Sequence, residues 1–228
     1  MNLIAKGNTA EIYAYRDDLV CKLFYPRYPR VYVEHEFKNA NAVFRLGIRT
    51  PQAHAIIFLE GRYGIIYDRV DGKELSSLIH CADESVQATW IDRFVDFHKE
   101  LIGHTFNDGV NYKDFLRLFT ADSMEILGKI HALEDGHALL HGDFHPSNIL
   151  VSSTEELVVV DMMNICKGPG IYDIARTYFL LENNKKLQSR YLEKMGYPLA
   201  EITPYLEVIS MLREKETKLI FKSSAQLA

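Results

Sequence analysis

The sequence lacks the features that mark secreted and membrane proteins. Its three cysteines, Cys21, Cys81 and Cys166, are too few and too scattered for a disulfide framework or a paired-cysteine metal site. We therefore expect isolated thiols in or near the core, in a reducing compartment. No stretch of about 18 apolar residues occurs, and the first residues contain no apolar segment of signal-peptide length. These absences favour a cytoplasmic location and no membrane partner.

Long runs of Lys and Arg are also missing. The 228 residues hold 26 Lys and Arg against 31 Asp and Glu, and no basic cluster forms a nucleic-acid footprint. We expect no nucleic-acid partner. Residues 1–70 carry 10 Lys and Arg against 7 Asp and Glu, whereas residues 71–228 carry 16 against 24. The acidic balance of the second part favours a cationic small-molecule partner there.

The sequence patterns predict two lobes. Up to about residue 70, short β-branched or aromatic runs separated by turn residues predict strands. These runs cover residues 11–15, 19–24, 52–58 and 63–69. One helix is predicted between Pro29 and Gly47. Beyond Gly72 the spacing is mainly helical, apart from two short strands at 148–151 and 157–160. We predict an α+β chain with lobes at 1–70 and 71–228.

Apolar residues at helical spacing predict the buried helix faces. The predicted core residues are Val33, Phe37, Ala40, Val43 and Phe44 in the first helix, then Val86, Trp90, Phe94, Phe97 and Leu101, and finally Met124, Leu127, Ile130 and Leu133. We expect His131 to be a packed core or loop histidine.

The loop of residues 141–148, His-Gly-Asp-Phe-His-Pro-Ser-Asn, carries the clearest chemistry. Phosphoryl transfer requires a carboxylate that accepts the proton of the attacking hydroxyl, and oxygen ligands that hold Mg²⁺ against the phosphates. Asp143 fits the first task and Asn148 the second. Asp161 directly follows the apolar run 157–160 and would be the second metal ligand. The spacing predicts a phosphotransferase that uses ATP and Mg²⁺.

His141 and His145 flank Asp143 in this loop. A histidine and carboxylate cluster can also ligate zinc in a metallohydrolase. No further His or Cys pair lies at ligand spacing, and Lys22 would then have no role. We interpret both histidines as a hydrogen-bonding support of the loop.

The first lobe supplies residues for the nucleotide. Lys22 stands alone on an otherwise apolar strand, where it can contact the α- and β-phosphates, and Glu36 on the following helix can pair with it. Gly7, Asn8 and Thr9 form a turn of small residues between two strands, where the backbone can approach phosphate oxygens. An ordinary hairpin turn explains the same residues.

The segment from His141 to Val151 resembles, almost residue for residue, the catalytic loop of the aminoglycoside phosphotransferase and choline kinase superfamily. This superfamily is the small-molecule branch of the protein-kinase-like fold. Residues 168–175, GPGIYDIA, are similar to the family's segment after the metal-binding aspartate, and residues 128–133, GKIHAL, resemble the helix end before the loop. The resemblance covers nearly the whole chain.

The resemblance implies a small, mainly antiparallel sheet lobe with one helix, a larger helical lobe, and ATP in the cleft between them. It implies that Asp173 braces the catalytic loop and that the backbone of Asp68 and Val70 faces adenine. The acceptor would be a hydroxyl of an aminoglycoside, amino alcohol, sugar or ketosamine.

Two departures from the kinase pattern bear on the alternatives. The phosphate loop has one glycine, and Met162 and Met163 follow Asp161 in place of Phe-Gly, with no Ala-Pro-Glu motif after them. These differences disfavour a protein kinase. A regulatory, nucleotide-binding pseudokinase is the other alternative, but such a protein would normally have lost Lys22, Asp143 or Asp161.

Overall fold

The computed structural model describes residues 1–120 and 123–225, with side chains up to residue 213. The chain divides into two compact units. The first comprises Met1–Gln87 and Pro146–Asn164, and the second comprises Ala88–His145 and Ile165–Ala228. The unit boundary falls inside the loop of residues 141–148, so residues 146–148 and the segment after them are grouped with the N-terminal residues. The division into functional lobes at about residue 70 stays a prediction.

An antiparallel sheet forms the main part of the first unit. Its strands are β1 (Leu3–Lys6), β2 (Ala10–Arg16), β3 (Leu19–Phe24), β4 (Ala53–Leu59) and β5 (Arg62–Asp68), in the order β1-β2-β3-β5-β4. The four predicted strands are thereby confirmed. Strand β3 lies in the middle of the sheet because it pairs with β2 on one side and with β5 on the other. A polar side chain on β3 therefore has a fixed backbone on both sides.

The predicted first helix is confirmed as α1 (Arg30–Arg45), which packs against β4 and β5. Pro29 precedes its first turn, and Gly47 follows with a φ of +80° that favours glycine. The predicted buried face is partly wrong, because Phe44 is exposed while Glu36 and Asn39 are buried. Both polar residues have hydrogen-bond partners, which allows burial that apolar spacing does not predict.

A second, three-stranded sheet completes the first unit. It consists of β6 (Gly72–Glu74), β8 (Ile149–Ser152) and β9 (Leu157–Val159), in the order β6-β8-β9. The two predicted strands of this region are confirmed, and β6 was not predicted. The helix α2 (Leu75–Cys81) packs against β8 and the short 3₁₀ turn Pro146–Asn148. The expectation for Cys81 is wrong, since this thiol is exposed at the end of α2, whereas Cys21 and Cys166 are buried.

The second unit is mainly helical. Its elements are most of α3 (Glu84–Gly103), then α4 (Tyr112–Arg117), α5 (Met124–Ala132), β7 (Ala138–Leu140), β10 (Cys166–Gly168), α6 (Gly170–Leu180), α7 (Lys185–Met195) and α8 (Leu199–Ala225). Strands β7 and β10 pair antiparallel, with Leu140 opposite Cys166. This two-stranded pair leads directly into His141. None of the described helices combines the length and the apolar character needed to cross a bilayer.

The predicted helix faces of the second unit are only partly correct. The correctly predicted core residues are Phe94, Phe97, Leu101, Ile130 and Leu133. The partly or fully exposed ones are Val86, Trp90, Met124, Leu127 and His131. Val86 and Met124 lie in the first turns of α3 and α5, which extend beyond the packed part of each helix. In α3 the buried face is shifted to include Ile91, Val95 and the polar His98.

Gly72 is sterically required where β6 pairs with β8. A Cβ atom at this position would lie 2.4 Å from the Val151 carbonyl oxygen, whereas a Cβ atom on Gly128 in α5 would meet nothing within 4 Å. We expect Gly72→Ala to lower the free energy of unfolding by about 2 kcal/mol, and Gly128→Ala to raise it by about 0.5 kcal/mol. Thermal unfolding followed by circular dichroism measures both changes. A Gly72→Ala protein as stable as the wild type would contradict the described strand pairing.

Candidate functional site

A buried ion-pair cluster lies at the centre of the first unit. Lys22 on β3 is flanked in the sheet by Ile12 and Ile65. Its Nζ atom lies 2.7 Å from Glu36 Oε1 and 3.1 Å from Asp161 Oδ1. The structure thus brings together three residues that were predicted from sequence, two of which are separated by 139 positions. This contact could not be read from the sequence, because it depends on the fold.

The Lys22 ammonium is held in its charged form. Burial alone would lower its pKa, but the charges of Glu36 and Asp161 and their hydrogen bonds raise that pKa above its ordinary value. Burial raises the pKa of Glu36, while Lys22 and Tyr67 act in the opposite direction. The side chain of Asp161 is 41% exposed, so the cluster is open on the Asp161 side. A fixed, partly accessible cation is suited to binding an anionic group such as a phosphate.

Tyr67, which directly precedes the predicted adenine-facing segment, completes the cluster. Its hydroxyl donates a hydrogen bond to Glu36 Oε1 at 3.0 Å, so this oxygen accepts from both Lys22 and Tyr67. Among the described residues, Glu36 Oε2 is buried without a hydrogen-bond partner. The described geometry therefore makes Tyr67 a partner of Glu36.

The two predicted metal ligands lie at one end of the β8–β9 hairpin. The Val160 N–H donates to the Asn148 carbonyl at 2.9 Å, which places Asn148 beside the residue that precedes Asp161. Asp161 has a φ of +67°, a left-handed conformation that is uncommon outside glycine. Backbone strain of this kind is concentrated at functional sites. The next peptide is held from α1, because Asn39 Nδ2 donates to the Met162 carbonyl at 3.0 Å.

The donor set at this hairpin end fits Mg²⁺. One carboxylate and one amide offer the hard oxygen ligands that Mg²⁺ prefers, and Mg²⁺ takes its other ligands from water and substrate phosphates. In residues 1–120 and 123–225, no group of three or more His, Cys, Asp or Glu side chains is placed to hold a metal ion. A magnesium ion bound jointly by protein and phosphate does not require such a group.

Asp143 lies in the second unit, just after the β7–β10 pair. Gly142 before it has a φ of +74°, which turns the chain out of the strand. The Asp143 side chain is 29% exposed, and its Oδ2 atom lies 3.5 Å from His145 Nε2. Burial alone would raise the pKa of Asp143, but the hydrogen bond and charge of His145 and the charges of His141 and Arg176 hold it below its ordinary value. Asp143 is therefore an ionised, accessible hydrogen-bond acceptor at neutral pH.

Several buried groups hold the backbone around Asp143. Asp173 on α6 accepts the His141 and Gly142 N–H groups, each at 2.8 Å. The Thr177 hydroxyl donates to the Phe144 carbonyl at 2.9 Å. His141 is fully buried, and its Nδ1 atom accepts the Asp143 N–H at 3.3 Å. Every peptide unit on either side of Asp143 is thereby fixed from within the second unit.

The predicted phosphate loop has the bonds of a hairpin. The Gly7 N–H donates to the Ala10 carbonyl at 2.9 Å, and the Tyr25 hydroxyl and N–H donate to the carbonyls of Gly7 and Thr9. A Cβ atom on Gly7 would lie at an ordinary contact distance of 3.5 Å from Ala10 O, so glycine is not sterically required. The hairpin interpretation accounts for these bonds. Phosphate contact by Gly7, Asn8 and Thr9 stays a prediction.

The predicted adenine-facing segment follows β5. The Asp68 N–H donates to the Gln52 carbonyl at 3.1 Å, and the Asp68 carboxylate accepts from the Gln52 N–H and contacts His54 Nε2 at 2.6 Å. These bonds fix the segment at the end of the sheet. The groups that can face adenine are therefore the Asp68 carbonyl and the Val70 N–H, an assignment that stays a prediction.

Some supporting residues gave no sequence signal. Asn39, Tyr67 and Thr177 act through single hydrogen bonds to groups that are distant in sequence. Arg176 likewise donates from Nε to the Gly142 carbonyl at 3.2 Å. The positions of Arg176 and Thr177, immediately after the GPGIYDIA segment, are the only hint that the sequence contains for these two residues. Asn39 has no such signal, and Tyr67 has only its place before the predicted adenine-facing segment.

The fold is that of kinases that phosphorylate small molecules. Aminoglycoside phosphotransferase APH(3'')-Id from Streptomyces rimosus is similar with a TM-score of 0.65 and 13% identity, over 91% of this chain and 90% of that one. Choline kinase LicA from Streptococcus pneumoniae is similar with a TM-score of 0.66 and 12% identity, over 98% and 84% of the two chains. A search of curated proteins found no match.

Residues 112–195 match the model of the phosphotransferase enzyme family. The matched segment contains Asp143, Asn148, Asp161 and Asp173. The predicted α+β kinase-like fold is thereby confirmed. The family match supports the predicted resemblance to the aminoglycoside phosphotransferase and choline kinase superfamily over the segment that contains the loop. The family match is confined to residues 112–195, and the likeness to the solved structures shows the fold.

The buried pair of Lys22 and Glu36 predicts a pH-dependent defect in Lys22→Met. Without the ammonium, the Glu36 carboxylate stays buried and its pKa rises further above that of the unfolded chain. A raised folded pKa stabilises the fold at low pH, and this contribution is lost as the pH rises through the folded value. We expect Lys22→Met to lose about 3 kcal/mol of stability at neutral pH.

Thermal unfolding at about pH 5 and about pH 8 tests this expectation, because the defect relative to wild type should be smaller at the lower pH. The double variant Lys22→Met with Glu36→Gln is the matched control, since position 36 then carries no carboxyl to titrate. Its defect should be the same at both pH values. An equally pH-independent defect in the single variant would contradict the described ion pair.

Proposed function

We propose that this protein is an ATP- and Mg²⁺-dependent phosphotransferase that transfers the γ-phosphate to a hydroxyl of a small molecule. The observation that carries the proposal is the cluster of Lys22, Glu36 and Asp161, with Nζ to oxygen distances of 2.7 and 3.1 Å. A lysine fixed by a buried glutamate beside a metal-binding aspartate is the arrangement that kinase-type phosphoryl transfer requires. The family match at 112–195 supports the same reaction.

In this proposal the first unit binds the nucleotide. Lys22, held by Glu36, contacts the α- and β-phosphates, and the Asp68 carbonyl and Val70 N–H bind adenine. Asn148 and Asp161 hold Mg²⁺, which supplies positive charge for the phosphate oxygens when it is bound. Two solved structures of the same fold are complexes with a nucleotide. One is APH(3'')-Id with ADP and streptomycin, and the other is a thermostable mutant of aminoglycoside phosphotransferase APH(4)-Ia with AMP-PNP and hygromycin B.

Asp143 acts on the acceptor in this proposal. Its carboxylate accepts a hydrogen bond from the acceptor hydroxyl and orients the oxygen towards the γ-phosphorus. As the new P–O bond forms and the bond to the ADP leaving group breaks, the hydroxyl proton moves to Asp143. The lowered pKa of Asp143 keeps the carboxylate ionised before the reaction, and its supported backbone limits the motion of the side chain. Positioning and electrostatic stabilisation account for most of the acceleration in such reactions.

The charge of the second part of the sequence and the similar structures support a class of acceptor. Residues 71–228 carry 16 Lys and Arg against 24 Asp and Glu, which favours a cationic molecule. Two of the similar structures are complexes with streptomycin and with hygromycin B, and a third similar structure is a choline kinase. We therefore propose an acceptor with a hydroxyl group and a basic nitrogen, with aminoglycosides and amino alcohols before sugars and ketosamines.

A screen of ATP consumption tests the reaction and its metal requirement. We expect ATP with Mg²⁺ to raise the melting temperature of the protein, and chelation of Mg²⁺ with EDTA to remove most of this shift. In the presence of Mg²⁺, at least one member of a panel of aminoglycosides, amino alcohols, sugars and ketosamines should accelerate ATP consumption. A protein that shows no stabilisation by ATP with Mg²⁺ would exclude the proposed nucleotide site. Stabilisation without phosphate transfer to any acceptor would favour the pseudokinase alternative.

Asp143→Asn tests the assignment of the base. The substitution keeps the shape of the side chain but removes the acceptor charge, so kcat should fall by about 100-fold or more. Binding of ATP with Mg²⁺, followed by thermal shift, should be unchanged. Asp96→Asn on the exposed side of α3 is the matched control and should leave kcat at the wild-type value. If Asp143→Asn kept wild-type kcat, the proposed mechanism would be wrong.

A further inference from the structure

We propose that His98 and Tyr191 are positioning residues that hold residues 141–144 in place through Asp173. They form a buried chain of hydrogen bonds from α7 through α3 to α6 and from there to the backbone beside Asp143. The consequence for catalysis rests on the proposed function, whereas the consequence for the order of residues 141–144 does not. No motif in the sequence assigns a role to His98 or Tyr191.

The chain consists of fully buried side chains. His98, Asp173 and Tyr191 are each 0% exposed. Tyr191 Oη lies 2.7 Å from His98 Nδ1, and His98 Nε2 lies 3.1 Å from Asp173 Oδ2. The same carboxylate accepts the N–H groups of His141 and Gly142. Four elements of the second unit thus meet in one polar network with no access to water.

The ionisation of Asp173 determines how the other groups of this network bond to it. Burial alone would raise the pKa of Asp173, but hydrogen bonds from His98 and the backbone lower it, so the group is an acceptor only. His98 must therefore carry a proton on Nε2, which faces Asp173. The Tyr191 hydroxyl keeps its proton, because burial raises its pKa well above the ordinary value. The Tyr191 hydroxyl bonds to Nδ1 on the other side of the ring and thereby fixes the ring orientation in which Nε2 faces Asp173.

His98 also supports the loop by packing. Its ring stacks on the Phe144 ring, with centroids 4.1 Å apart and an angle of 19° between the planes. Phe94, one turn earlier on α3, also stacks on Phe144, with ring centroids 4.8 Å apart. Asp143 therefore lies between Gly142, whose N–H is fixed by Asp173, and Phe144, whose ring rests on His98. His98 thus contacts Phe144 directly and acts on Gly142 through Asp173.

If packing were the only role of His98, an apolar residue at this position would avoid the free-energy cost of burying a polar group. His98 falls within the apolar stripe of α3 between Phe94 and Leu101, where a buried polar group is costly without partners. A fully satisfied polar network instead specifies one arrangement of the groups it joins. Since small misplacements of a reacting group cost large factors in rate, the network has a direct use at Asp143.

Three variants and a control test the proposal. His98→Leu removes the donor to Asp173, Tyr191→Phe removes the hydroxyl that holds the His98 ring at Nδ1, and His98→Gln places an amide N–H near the position of Nε2. Tyr112→Phe is the matched control, because it deletes an equally buried tyrosine hydroxyl that donates to the Glu134 carbonyl instead.

The first measurement is hydrogen exchange of the His141 and Gly142 amides in the full chain. In His98→Leu we expect both amides to exchange about tenfold faster or more, and in Tyr191→Phe by a smaller factor. His98→Gln should restore most of the protection, and Tyr112→Phe should leave it unchanged. Unchanged protection in both His98→Leu and Tyr191→Phe would overturn the proposal. If His98→Leu does not fold, Tyr191→Phe and His98→Gln decide by the same criterion.

The second measurement is the split between kcat and KM. We expect kcat to fall by about tenfold or more in His98→Leu while KM for ATP changes little, and His98→Gln to recover most of kcat. A kcat loss no larger than that of Tyr112→Phe would overturn the catalytic consequence. If the wild type transfers no phosphate to any acceptor, the proposed function fails, and the exchange measurement still decides whether His98 and Tyr191 order residues 141–144.

Discussion

The ion pair between Lys22 and Glu36 is the constraint on which the first unit depends. An ammonium group in the middle of a sheet is costly unless a carboxylate meets it, and Glu36 does so at 2.7 Å with 1% of its side chain exposed. Because Glu36 is on α1, the pair fixes the rotation of that helix against the sheet. Lys22 also reaches Asp161, which follows β9, so one cation ties together three parts of the chain that are distant in sequence.

In the second unit, the buried carboxylate of Asp173 plays a part similar to that of the Lys22 ammonium in the first unit. Asp173 is fully buried on α6 and is satisfied by two backbone N–H groups and by His98. A buried carboxylate with several donors gives a unique arrangement, since any displacement leaves a charge without its partners. Each unit thus uses one buried charge to position residues that the proposed reaction needs. These charges define geometry, and their net contribution to stability is small compared with that of the apolar core.

The sequence predicted the elements better than it predicted the helix faces. The strands of the main sheet and the helix α1 follow from β-branched runs and from Pro29 and Gly47, which are local signals. The errors occurred where polar residues occupy core positions, as with Glu36 and Asn39 on α1 and His98 on α3. Apolar periodicity excludes such residues, although a partner elsewhere in the fold permits their burial. Only the tertiary structure supplies these partners.

The prediction of the site was limited in the same way, because contacts that depend on the tertiary structure could not be predicted. Asp143, Asn148 and Asp161 were identified because the loop has a motif with fixed spacing. The support of Asp143 by Thr177 depends on a contact to one backbone carbonyl, which leaves no pattern in a single sequence. Tyr67 could be placed before the predicted adenine-facing segment, but its hydrogen bond to Glu36 depends on how α1 packs on the sheet.

The departure from the kinase pattern after Asp161 has a physical explanation. A glycine at this point is useful where the backbone must adopt a positive φ. Here the positive φ falls on Asp161 itself, at +67°, and aspartate tolerates this conformation better than most residues because its short side chain can bond locally. Neither Met162 nor Met163 has a positive φ, and Met162 is buried while its carbonyl is held by Asn39. The chain therefore needs no glycine after Asp161, and methionine side chains can fill the adjoining space.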